Sequence, residues 1–226
     1  MHIPAGNGYS NTHGSTPAAH AADTPTKDNP LATGKAAADA FGEGPDWGIG
    51  GWFTTCEEEP QPAQAWWFSM QGHIQDLPDD MRKEGGTNAQ RIIGCLETLA
   101  QIGLLVARHR TPGLKGRYVK LEQGSDSATA EGAINKLFST KEPLSKYMWL
   151  LSEWCVATHI SIKVHHIPGK ANTWADVLSR SKSAKQDLGL SSEKHVQLTL
   201  EDLLQPQTTV ALHPAKAQWP QALAIL

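Results

Sequence analysis

Four acidic residues sit where this chain turns or where an apolar helix face begins: Asp39, Glu97, Asp126 and Asp176. Asp39 stands between Lys35-Ala36-Ala37-Ala38 and the glycine-rich stretch FGEGPDWGIGG, the position of a strand end entering a hairpin. Glu97 falls roughly 20° beyond Leu104 on a helical wheel, at the margin of an apolar stripe, so it looks toward protein rather than bulk water. Asp126 lies where a strand gives way to a helix, and Asp176 lies in the first turn of the last predicted helix. Crossover connections return each strand beside its neighbour, so carboxylates at strand ends and helix starts can converge on one sheet edge. Gathered in a small space, they cannot all stay ionised unless cations offset the repulsion. Magnesium suits an all-oxygen site, with manganese as the alternative. Two such ions roughly 3.5–4 Å apart can serve both the attacking and the leaving oxygen of a phosphodiester. Taken singly, each acid has a plainer explanation as a turn former, a surface helix charge or a helix-terminal charge.

Positioning these acids requires an α/β fold. Residues 47–54 and 65–70 have the aromatic and β-branched content of strands, joined by a turn at 57–64. Residues 76–87 are acidic, polar and glycine-bearing, which predicts a loop. Residues 88–108 predict a helix whose stripe contains Ala89, Ile92, Ile93, Leu96, Leu99, Ala100, Leu104 and Ala107, with Ile102 and Leu105 off it. A basic turn at 111–116 leads to a strand at 117–123, and Ser127 can cap a helix running to 138. Residues 143–158 predict a second amphipathic helix and 161–167 a strand. A Pro168-Gly169 turn follows, then a helix to 180 that Asn172 can cap. The order β-β-β-α-β-α-α-β-α mixes hairpins with crossovers.

The chain has 226 residues, 39% apolar and 19% charged, which suits one domain with tails. Its longest apolar run, residues 102–107, is far short of the roughly 20 residues a membrane-spanning helix needs. The start MHIPAGNGYSNTHG has neither a basic nor an apolar segment and is not a secretory signal. Three widely spaced cysteines, Cys56, Cys95 and Cys155, form no zinc pattern and no disulfide framework. Together these features predict an intracellular protein, cytoplasmic or nuclear, that is not secreted. The net charge of -3 conceals an asymmetry: residues 101–185 hold 13 Lys/Arg against 6 Asp/Glu. A basic half suits a polyanionic partner, although scattered lysines on a solvated surface read the same way. The expected organisation is a disordered leader over 1–30, a domain over 31–181, and a tail over 182–226. Thr199 can cap a short helix at 199–205 within that tail.

The segment HIPGKANTWADVLSR at 166–180 resembles the C-terminal motif of ribonuclease H domains attached to retroelement reverse transcriptases. There, a strand ends in a His-x-Pro-Gly turn and a helix carries Ala-Asp-x-Leu-Ser-Arg. ADAFGEGPDWGIGGW at 38–52 resembles the first motif of that family, CLETLAQ at 95–101 the glutamate helix, and GSDSATAEGAINK at 124–136 the third motif. Their order and intervals match, and together they span nearly all of residues 36–180.

The resemblance implies a ribonuclease H-like fold: a five-stranded mixed sheet, three antiparallel strands then two parallel ones, flanked by helices. It implies that Asp39, Glu97, Asp126 and Asp176 are catalytic metal ligands for two Mg2+ ions, with Mn2+ as a substitute. His166, ten residues before Asp176, corresponds to the histidine that assists proton movement and product release; a plain strand-end histidine is the other reading. The implied reaction is endonucleolytic hydrolysis of the RNA strand of an RNA–DNA hybrid. Contacts to 2′-hydroxyls are expected around Gly42 to Gly44, Ser127, Thr129 and Asn135. Arg108, Arg110, Lys115, Arg117, Lys163 and Lys170 are candidate phosphate contacts. A reverse-transcriptase polymerase domain, in cis or in trans, is the implied protein partner. Neither a membrane nor zinc is expected.

The sequence departs from the family pattern in two places. Its first strand is poor in β-branched residues, and Ser127 stands where an amide often follows the third aspartate. A silent ribonuclease H-like module that binds nucleic acid or braces a polymerase is the alternative. A DNA-cutting nuclease or transposase of the same superfold is a third, against which the Ala-Asp-Val-Leu-Ser-Arg ending argues.

Overall fold

A computed structural model describes residues 34–55, 60–111 and 119–206. The predicted leader, the candidate phosphate contacts Lys115 and Arg117, Cys56, and the expected tail from 207 onward lie outside these residues. The described chain forms β1 (Ala36–Glu43), β2 (Asp46–Phe53), β3 (Trp66–His73), α1 (Asp79–Gly85) and α2 (Ile93–Arg110). It continues through β4 (Val119–Ser125), α3 (Ala128–Lys136), α4 (Leu144–Thr158), β5 (Ile160–His166) and α5 (Thr173–Arg180). Two short helices follow, α6 (Ala184–Leu188) and α7 (Leu200–Leu204).

The strands form one sheet in the order β3-β2-β1-β4-β5. β1 pairs antiparallel with β2, and β2 with β3, whereas β4 runs parallel to β1 and β5 parallel to β4. This is the five-stranded mixed sheet that the ribonuclease H resemblance implies, in an α/β fold with helices on both faces. The β1–β4 junction is its weak seam, because the two strands meet at a single register pair, Ala37 with Gly124. Asp39 lies two residues beyond that pair on β1, and Asp126 two residues beyond it past β4. Both chains run the same way, so both carboxylates emerge where the seam opens.

α2 fills the first face. From Cys95 to Arg108 every residue on it is buried, including Ile102 and Leu105, which lie off the predicted stripe. The reason is a second layer: α4 and α7 cover the side of α2 turned away from the sheet. A helix buried all round carries a blurred period. The stretch Ala89–Arg110 is long and apolar enough to cross a bilayer by composition, but 83% of its apolar 18-residue window is buried within the protein. It is a core helix.

α5 covers β1 and β2 on the second face, and the small residues of those strands allow its close approach. A Cβ at Gly48 would stand 1.9 Å from the backbone oxygen of Ser179, and one at Gly50 would stand 2.5 Å from Leu178. Ser69 adds a hydrogen bond from its hydroxyl to the Leu178 carbonyl at 2.6 Å. The alanines of β1, poor as strand formers, leave room for helices above and below: Ala37, Ala38 and Ala40 are all buried.

One predicted element differs. The loop expected at 76–87 contains α1, where Asp79 and Asp80 in the first turn and Arg82 and Lys83 in the last complement the helix dipole. Only Met81 and Gly85 are buried there, too few for a visible period. On the second predicted amphipathic helix, Trp149 is 74% exposed. Residues 182–206, the described part of the expected tail, pack onto the domain. Val196 donates its backbone N–H to the Trp67 carbonyl, and the indole of Trp154 donates to Leu203 O at 2.7 Å. Thr199 and Asp202 close a reciprocal capping box on α7.

Gly48→Ala is expected to force α5 off the sheet at a cost of about 1–3 kcal/mol. Urea denaturation should show it as a lower midpoint with an unchanged slope; an unchanged midpoint would mean that the contact yields freely.

Candidate active site

The open end of the β1–β4 seam is a cavity of about 610 Å³ whose lining includes Asp39, Glu97, Asp126, Ser127, Asp176 and Arg180. One ligand oxygen each from Asp39, Glu97 and Asp126 lies within 4.8 Å of the other two. β1 supplies the first from mid-strand, where Asp39 pairs with Gly50, rather than from the strand end that the sequence suggests. The second turn of α2 supplies Glu97, 6% exposed, and the β4–α3 junction supplies Asp126. Asp176 reaches the same cavity from the first turn of α5, as predicted, but stands outside the trio and pairs with Arg180.

Buried side chains hold this arrangement. Gln101, one turn beyond Glu97, donates its amide to Ala38 O at 3.4 Å and to Gly124 O at 3.2 Å, bridging the seam beneath the acids. Its own oxygen accepts from Gln123 Nε2 at 2.9 Å. Asn172 is fully buried at the start of α5 and does not cap it. Its amide instead donates to Asp126 Oδ1 at 3.3 Å, while its backbone oxygen accepts the Asp176 N–H. Ser179 directs its hydroxyl to the Asp176 carbonyl and toward Asp39 Oδ2, 3.4 Å away. The sequence offered Asn172 only as a helix cap and did not single out Gln101 or Ser179, because each acts through a contact made only after folding. The helix spacing from Glu97 to Gln101 was the one available signal.

Three carboxylates so close repel one another, and burial strengthens the repulsion. Burial, then the Asp39 and Asp126 charges, pushes Glu97 up to about 9. Burial and then Asp126 likewise raise Asp39 well above the usual carboxylate range. Glu97 Oε2 is buried without a hydrogen-bond partner among the described residues. Hard oxygen donors, crowded negative charge and an unsatisfied buried oxygen together fit a divalent cation of the magnesium type.

The other predicted residues divide. Ser127 lines the cavity and caps α3 by accepting from Ala130 N at 3.2 Å. Gly42 and Gly44 line it too, with Asn88 and Gln90, which the sequence reading did not single out. Thr129, Lys163 and Lys170 are exposed beyond its lining. His166 ends β5 opposite Ser125, exposed and not among the lining residues.

Asn135 is committed elsewhere. Its amide donates to Val164 O at 2.8 Å and accepts from Val164 N at 2.9 Å, closing the free edge of β5. Arg108 is fully buried, donates to Glu122 O at 3.0 Å and lies over the Phe53 ring, so it is no phosphate contact. Burial lowers its pKa to about 10. Arg110 is held by Asp202 and Gln197 O. His165 lies 3.3 Å from Glu122, on the other face of β5 from His166.

No family model matches this chain, and no curated protein matches it. Several solved structures are similar to it. RNase H1 from the archaeon Halobacterium salinarum is 16% identical, with 68% of this chain and 98% of that one covered and a TM-score of 0.42. LC11-RNase H1, solved in complex with an RNA/DNA hybrid, is 17% identical over 64% of this chain and 94% of that one, with a TM-score of 0.45. The N-terminal RNase H domain of a Mycobacterium tuberculosis protein, solved as a fusion with maltose binding protein, is 14% identical over 68% and 98%, with a TM-score of 0.43.

The raised acids set a pH dependence. From about 4.5 to about 9, folded Glu97 keeps a proton that the unfolded chain has released. Stability is therefore complete below the lower value and falls as pH rises toward the upper one. In EDTA, the denaturation midpoint is expected to fall from about pH 5 to about pH 9, and Glu97→Gln should flatten that slope. A midpoint rising over this range would contradict the crowding.

Proposed function

We propose that this protein is a divalent-cation-dependent ribonuclease H that hydrolyses the RNA strand of RNA–DNA hybrids, leaving a 3′-hydroxyl and a 5′-phosphate. One observation carries the reading: oxygens of Asp39, Glu97 and Asp126 lie within 4.8 Å of one another at the open sheet seam. Asp176 lines the same cavity. The trio would hold one ion, and Asp176 with Asp39 or Asp126 a second. Bound divalent cations supply the positive charge that lowers the proton affinity of the attacking water and stabilises the leaving 3′-oxygen.

The chain itself fixes where that charge can sit. Gln101 sets the separation of β1 from β4, and Asn172 orients Asp126 while it starts the helix that carries Asp176. Ser127, Gly42 and Gly44 lie along the cavity wall, where backbone and hydroxyl groups can meet the 2′-hydroxyls of an A-like minor groove. Lys163 and Lys170, exposed beyond the cavity, suit phosphate oxygens further along the duplex. His166 is exposed beside the turn that bears Asp126, a place from which an imidazole can relay a proton to solvent.

Origin in a retroelement reverse transcriptase belongs to the same proposal and rests on the run HIPGKANTWADVLSR at 166–180. A polymerase partner in cis or in trans, and an intracellular setting, cytoplasmic or nuclear, follow from that origin.

The test is incubation with a labelled RNA–DNA hybrid or duplex DNA, in magnesium or in EDTA. Magnesium-dependent cleavage of the RNA strand is expected, and Asp126→Asn should lower it about a hundred-fold or more. Binding without cleavage would make the protein a silent module, and cleavage of duplex DNA would place it in another class of nuclease.

A further inference from the structure

Among the described residues Arg180 is the only basic one lining the acid cavity, whose lining also includes Asp39, Glu43, Glu97, Asp126 and Asp176. Its Nε lies 2.5 Å from Asp176 Oδ1, and its guanidinium sits 4.8 Å from the centre of the Phe41 ring. The two charged side chains are 52% and 45% exposed. Such a pair is weak and easily exchanged. Asp176 is also the acid left outside the trio that gathers between β1, α2 and β4.

Building on the ribonuclease H reading, we propose that Arg180 is an internal counter-ion that neutralises Asp176 until nucleic acid arrives and then moves to a backbone phosphate. The charge balance requires an exchange of this kind. A phosphodiester approaching the cavity meets five acidic side chains and, among the described residues, one basic side chain. Cations that claim the Asp176 carboxylate compete directly with the guanidinium for the same oxygen. Once displaced, Arg180 keeps its place over Phe41, whose ring attracts the cation face-on and steers it along the cavity lip. The planar fork of the guanidinium then matches two phosphate oxygens. Asp176 thereby becomes available for cations as the substrate arrives, so ion loading and substrate binding are coupled through one side chain. Arg180 is thus both a substrate contact and a competitor of the metal.

Those two roles have opposite signs, which makes the proposal testable. Titration of the full chain with magnesium alone, followed by calorimetry, is expected to show Arg180→Ala binding about two- to five-fold tighter than the unsubstituted chain. Hybrid binding is read separately by fluorescence anisotropy in an Asp126→Asn background, where cleavage is suppressed. There, Arg180→Ala is expected to weaken binding about ten-fold. It should also reduce the dependence of log affinity on log salt by roughly one. Arg180→Lys should recover part of the affinity. Magnesium binding no tighter in Arg180→Ala, or an unchanged hybrid affinity and salt slope, would overturn the proposal. If the unsubstituted chain neither binds nor cuts hybrid, the ribonuclease H reading fails instead, and the magnesium titration still decides whether Arg180 competes for the acid.

Discussion

Like-charge crowding at the open end of the β1–β4 seam is the constraint around which the rest of the molecule is arranged. Asp39, Glu97 and Asp126 come from three elements distant in sequence, and each would be more stable apart. Burial withdraws the water that would screen them, which is why Glu97 and Asp39 hold their protons so strongly. A fold that concentrates unfavourable charge in this way must offset it elsewhere. The compensation comes from the apolar packing of α2, the close seating of α5 on β2, and buried amides that fix the backbone beneath the acids.

Those amides explain how a weak seam holds. β1 and β4 share one register pair, so backbone pairing alone leaves their spacing poorly determined. Gln101 reaches across with one side chain and satisfies a carbonyl on each strand, while Gln123 saturates the other end of the same amide. Asn172 does the corresponding work between Asp126 and α5. Gln101 is engaged at both ends of its amide, as burial of polar groups demands, whereas Gln123 Oε1 and Asn172 Oδ1 are buried without a hydrogen-bond partner among the described residues. The opening of the seam beyond Ala37 and Gly124 creates the cavity, and the crossbar below it keeps the opening from spreading.

The residues past Ser181 serve the same end from the opposite side. Segment 191–204 lies along β3 and reaches the outer surface of α2 and α4, where Leu203 is fully buried and Arg110 is engaged by Asp202. α2 is therefore clamped between the sheet and a second layer, and Glu97 is carried on a helix with little freedom to tilt. Composition gives this segment away poorly: its helices are short, and much of its burial comes from single residues such as Leu190 and Leu203.

Alternation, helical period and turn residues are local properties, so the sequence alone determined the five strands, the main helices and the four acids within a few residues. The run at 166–180 also carried enough local pattern to suggest a resemblance to ribonuclease H domains. What it could not determine were contacts between side chains that are remote until the chain folds. Arg108 read as a phosphate ligand and proved to be a core cation, because charge is visible in a sequence and depth is not. Asn135 read as a contact to 2′-hydroxyls, and the structure commits its amide to the edge of β5. Asp176 read as the equal of the other acids, yet the structure pairs it with a neighbour one helical turn away. Only tertiary packing decides which of several chemically able groups meet, because the desolvation and distance that set their energies do not exist in the extended chain.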